Sequence, residues 1–110
     1  MDDKTLAIPK GLSPDGKKAA RIILKVLKDS GLTYTGGCTT FYTPKQWRDR
    51  GEKYGRRSEL LVVHDGGDVG QFFNYDYFEY AMITRMTEAL DADGLWAEPC
   101  TNWYTAIFKE

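Results

Sequence analysis

The sequence predicts an α+β domain of two layers, with about three helices packed on a mixed sheet of four or five strands. Three observations carry this reading. Three segments of helical period begin at capping signals, one unbroken apolar run has the length of a buried strand, and two short strand-like segments close the chain. The expected order is helix, strand or hairpin, helix, strand, helix, strand, strand. With 110 residues, 42% of them hydrophobic, and a net charge of −1, the chain is sized for one folded domain. We expect that domain to span residues 13–110, preceded by a flexible arm over residues 1–12 with Pro9 and Gly11 as breakers.

Ser13-Pro14 starts the first helix, with Ser as N-cap and Pro at the first helical position. It should run from Pro14 to about Ser30 and stop at Gly31. At 100° per residue, Ala19, Ala20, Ile22, Ile23, Leu24, Val26 and Leu27 cover a broad apolar face, while Lys17, Lys18, Arg21, Lys25 and Lys28 fall within one arc opposite. Residues 32–35 and 38–42 read as two strands around a Gly36-Gly37 turn, or as one bulged strand. Thr43-Pro44-Lys45-Gln46 is a capping box. The helix it opens should reach about Tyr54, with Trp47, Gly51 and Tyr54 facing inward.

Residues 58–65 carry the continuous apolar run of a central strand. Gly66 to Gly70 form a glycine-rich loop, and Asp76-Tyr77-Phe78-Glu79 supplies another capping box. The third helix should extend to about Leu90 and bury Phe78, Met82, Ile83, Met86, Ala89 and Leu90. Residues 95–100 and 103–109 then form a closing hairpin across Thr101-Asn102, with Pro99 marking an edge or bulge.

Charge is segregated along the chain. Residues 1–57 hold 13 Lys/Arg and 6 Asp/Glu, a net of +7, while residues 58–110 hold 2 and 10, a net of −8. The basic half could face a nucleic acid through Lys17, Arg21, Lys25, Lys28, Lys45, Arg48, Arg56 and Arg57, although no nucleic-acid-binding signature accompanies them. The acidic half, which is rich in aromatics, suits a basic protein surface. There, Tyr77, Tyr80, Trp96 and Trp103 are the candidate binding residues. A second copy of the chain is the other partner they could serve, as a homodimer.

His64, the sole histidine, closes the apolar run and is followed by Asp65 and Asp68. These three could hold a divalent metal, or His64 could act as a base oriented by a carboxylate. Cys38 and Cys100 could join His64 as three zinc ligands, or one could serve as a nucleophile beside it. The plainer readings are ordinary turn chemistry for Asp-Gly-Gly-Asp and two buried thiols. No cofactor is expected, with a metal at His64 and Asp68 as the alternative.

No complete catalytic constellation is visible, while aromatics and segregated charge are abundant. The leading expectation is therefore a non-enzymatic binding or regulatory protein, in the size range of phage and mobile-element inhibitors or adaptors. A nucleic-acid-binding module and a small metal or thiol enzyme centred on His64 are the alternatives. No apolar run has the length of a membrane span, and Met1-Asp2-Asp3-Lys4 opens no signal region, so a cytoplasmic location without membrane contact is expected.

Overall fold

In the computed structural model, which describes residues 4–110, the elements follow as α1 (Pro14–Ser30), β1 (Phe41–Tyr42), α2 (Pro44–Asp49), β2 (Leu60–Val63), α3 (Tyr80–Asp91), β3 (Leu95–Pro99) and β4 (Tyr104–Lys109). Short 3₁₀ turns lie at Lys4–Leu6, Val69–Phe72 and Tyr75–Tyr77. The four strands are ordered β1-β2-β4-β3, and the fold is α+β as expected. Every pairing is antiparallel, whereas a mixed sheet was expected. The reason is topological. β3 returns through α3 in the same direction as β2, but the closing hairpin slots β4 between them, so no parallel pair is hydrogen-bonded.

Successive strand residues alternate between faces. Leu60, Val62, Ile107 and Leu95 point to one side, where they join Ala19, Ala20, Ile23 and Leu27 of α1 and Met86 and Leu90 of α3 in the larger core. Leu61, Val63, Tyr104 and Ala106 point to the other, where the buried Trp47 of α2 covers them. Trp47 packs against Tyr42, Tyr104 and Trp103 with ring centroids 5.1, 4.9 and 5.9 Å away. The Arg50 guanidinium caps it 4.5 Å above the ring.

α1 forms where its caps place it. The Ser13 side chain accepts from the Gly16 amide, and the Gly31 amide closes on the Leu27 and Lys28 carbonyls. The capping box at Thr43 is formed in both directions. α2, however, ends at Asp49 rather than near Tyr54, because Gly51 takes a left-handed φ of 79°. Gly51 and Tyr54, expected inward, are both exposed.

The expected hairpin around Gly36-Gly37 is absent, and only Phe41–Tyr42 forms strand. Tyr34 pairs instead with the loop after β2. Its carbonyl accepts from the Asp68 amide (2.6 Å) and its own amide donates to Asp68 Oδ2 (3.3 Å). This crossing brings Gly36 and Gly67 backbone to backbone, where a Cβ on Gly67 would collide with the Tyr34 carbonyl. The arm expected over residues 1–12 is anchored over its described part. Leu6 and Leu12 are buried, and Thr5 accepts from the Thr40 amide at 2.8 Å; residues 1–3 lie outside the described residues.

α1 approaches the start of β2 so closely that a Cβ on Gly16 would collide with the Glu59 carbonyl. Gly16→Ala should therefore lower stability by about 2 kcal/mol despite the better helix propensity of Ala, because the clash is with backbone that cannot give. A urea midpoint equal to or above that of the parent would mean that α1 does not seat on Glu59.

Candidate functional site

The segment from Asn74 to Tyr80 is the most unusual surface of the molecule. Tyr75, Tyr77, Phe78 and Tyr80 are 53%, 46%, 73% and 54% exposed. The expected capping box at Asp76 and Glu79 does not form. Asn74 caps the turn instead, its side chain accepting from the Asp76 amide (2.9 Å) and donating to the Asn102 carbonyl (3.1 Å). The result is a 3₁₀ turn that ends with Phe78 at φ 59°, and α3 begins only at Tyr80. Phe78, expected in the core, is thereby turned outward, with Tyr75. A bulky residue in the left-handed region is uncommon and carries a conformational cost.

The turn is braced from beneath. The Tyr77 ring lies so close over Gly70 that a Cβ there would fall 2.8 Å from its Cε2. The Phe78 and Tyr80 rings meet edge to face at 6.1 Å, and Tyr75 lies 6.5 Å from Tyr80. Tyr75 also borders an apolar crevice walled by Phe72, Phe73, Ile83, Met86 and Ala97, with Thr105 contributing a polar group. Asp76 and Glu79 are exposed, and neither has an ion-pair partner among the described residues.

Trp96 and Trp103 do not join this segment. Both lie on the α2 side of the sheet, Trp96 stacked on Phe108 at 4.9 Å and Trp103 half-buried against Tyr104 at 4.5 Å.

His64 lies behind the crevice. It is 3% exposed, its ring stacks on Phe73 at 5.6 Å, and Nε2 lies 2.9 Å from Thr105 Oγ1. Nδ1 is buried without a hydrogen-bond partner. We assign the proton to Nε2, donating to Thr105, since this leaves a lone pair rather than an N–H unpaired. Burial drives the His64 pKa down to about 4, against smaller raising effects of its backbone hydrogen bond and Asp65. At neutral pH the ring is an uncharged packing element.

The neighbouring candidates turn elsewhere. Asp65 is exposed and its carbonyl accepts from the Cys38 thiol at 2.9 Å. Asp68 holds the Tyr34 amide. Cys38 leads into β1 and Cys100 leaves β3, the two outer strands, and both are free thiols. Burial pushes the Cys100 thiol above its usual pKa. Among the described residues, no three His, Cys, Asp or Glu side chains are grouped to share a metal.

The basic candidates fall into two sets. Lys17, Arg21, Lys25 and Lys28 are exposed along α1. Lys45, Arg48 and Arg57 line a polar cleft beside the start of α1, and the Arg56 carbonyl accepts from Arg48 Nη1 at 2.8 Å. A scan against protein-family models, a search of curated proteins and a search of solved structures each found no match. The reading therefore rests on the residues themselves.

The depressed His64 pKa has a testable sign. The unfolded chain takes up this proton near pH 6.5 and the folded chain near pH 4. The neutral ring's contribution to stability is complete above pH 6.5 and is lost as the pH falls towards 4, in total of order 3 kcal/mol. His64→Gln removes the titration, so the urea midpoints of parent and variant should converge as pH drops from 7 to 4.5. Parallel curves across that window would contradict this burial of His64.

Proposed function

We propose that this is a small cytoplasmic, non-enzymatic binding protein that docks a basic protein surface through Tyr75–Tyr80. The observation that carries the proposal is the outward display of four aromatic rings interleaved with two carboxylates that have no ion-pair partner among the described residues. Tyr and Phe supply large contact areas at little entropic cost, and centrally placed aromatics dominate binding energy where they are desolvated. A pre-formed turn avoids part of the ordering cost that a loose loop incurs on binding.

The carboxylates of Asp76 and Glu79 favour Lys and Arg on the partner and speed their encounter. They also weigh against a second copy as the occupant, since a two-fold contact centred here sets these acids against their own counterparts. Such a surface suits a regulator that covers a basic site on another protein.

Photo-crosslinking from position 78, with position 18 on α1 as control, should capture a partner that is then purified for affinity measurement. Phe78→Ser and Tyr80→Ala should each weaken its binding about tenfold or more without lowering the melting temperature. Asp76→Lys with Glu79→Lys should slow association and flatten its salt dependence. Affinity unchanged by all four substitutions would overturn the reading.

A further inference from the structure

We propose that the cleft between the N-cap of α1 and α2, continued by the outer row of α1, binds the phosphate backbone of a nucleic acid. The site shares no residue with the aromatic segment. The cleft has a volume of about 320 Å³, and Lys45, Arg48 and Arg57 line it, with Glu59 the sole acid of the lining. Glu59 is engaged by the Ser13 hydroxyl at 2.5 Å. Arg57 has no hydrogen-bond or ion-pair partner among the described residues. Arg48 is fixed through one nitrogen on the Arg56 carbonyl, leaving its other donors for a ligand. Lys45 pairs with Asp49, but both are well exposed, and such a pair is weak enough to yield to a backbone phosphate.

The cations continue beyond the cleft. Ser13, at its wall, is followed along one helical row by Lys17, Arg21 and Lys25, with Lys28 beside the row two turns on from Arg21, and Lys25 is held by Asp29 in an exposed pair at 2.8 Å. From Lys17 to Lys28 the row extends about 17 Å. Lys17, Arg21 and Lys28 have no acidic partner among the described residues. A free phosphate would use only the cleft, whereas an extended polyanion uses both.

The same surface is ill suited to a protein. Among the described residues, the large exposed hydrophobics are Tyr34, Tyr54, Tyr75, Tyr77, Phe78, Tyr80 and Trp96, and none of them lies on α1 or lines the cleft. A protein interface needs apolar anchors, while a phosphate backbone is held by charge and hydrogen-bond donors alone. The expected binding is therefore independent of base sequence.

Fluorescence anisotropy with a labelled random 20-base-pair duplex tests this directly. Binding should weaken about 10³-fold between 50 and 200 mM salt, as expected when about six cations meet phosphates. Arg21→Glu with Arg57→Glu should lower the slope of log K against log salt by about two, whereas Lys53→Glu, outside cleft and row, should leave it unchanged. Circular dichroism checks that each variant is folded. Absence of duplex binding at 50 mM salt would overturn the proposal, as would a slope untouched by the double reversal. Binding of poly-glutamate as tight as that of the duplex would also overturn it, by assigning the surface to acidic proteins.

Discussion

The fold depends on the burial of β2 from both sides. Leu60 and Val62 lie under α1 and α3, Leu61 and Val63 under Trp47, and all four are shielded from water. A strand enclosed in this way fixes its register absolutely, because a one-residue slip would exchange the two faces. Everything else is placed from it. α1 is set against its entry by the contact of Gly16 with Glu59. At its exit, His64 turns inward to Thr105 and the following loop crosses under Tyr34.

That enclosure also explains the surface. With the larger core filled by aliphatic side chains, Phe41, Phe72 and Phe73, and the smaller face by the Trp47 cluster, four of the aromatics between Tyr75 and Tyr80 remain outside. Water does not favour such rings, so their display rests on the bracing of the turn by Asn74 and by Tyr77 over Gly70. Binding surfaces are commonly built this way, with a rigid core supporting side chains that would otherwise fold back. The basic row follows a different logic. It is the solvent face of an amphipathic helix, and its meaning comes from where the row begins, at the wall of a cleft that already holds three cations.

Local chemistry was legible in the residues wherever caps and partners lie close in sequence. Ser13-Pro14 and Gly31 bounded α1, Thr43 and Gln46 formed their box, and the apolar run became the central strand. The readings that failed were decided at a distance. Tyr34 pairs with Asp68, 34 residues away, so the strand pattern around Gly36-Gly37 had no local competitor to reveal. Asp76 and Glu79 had the spacing of a capping box, but Asn74, tied to Asn102, took the role. This displaced the helix start to Tyr80 and sent Phe78 outward. Of the four candidate binding residues, Tyr77 and Tyr80 share one exposed segment, whereas the sheet register that separates them from Trp96 and Trp103 is a property of tertiary pairing.

The central claim is that the aromatics at 75–80 are held outward by a formed turn rather than by a mobile loop. Amide ¹⁵N relaxation on the free protein tests it most directly. We predict order parameters for residues 75–80 close to those of α3, at about 0.85. Values below about 0.6 across the turn would contradict the account, since the rings would then have no fixed surface to present.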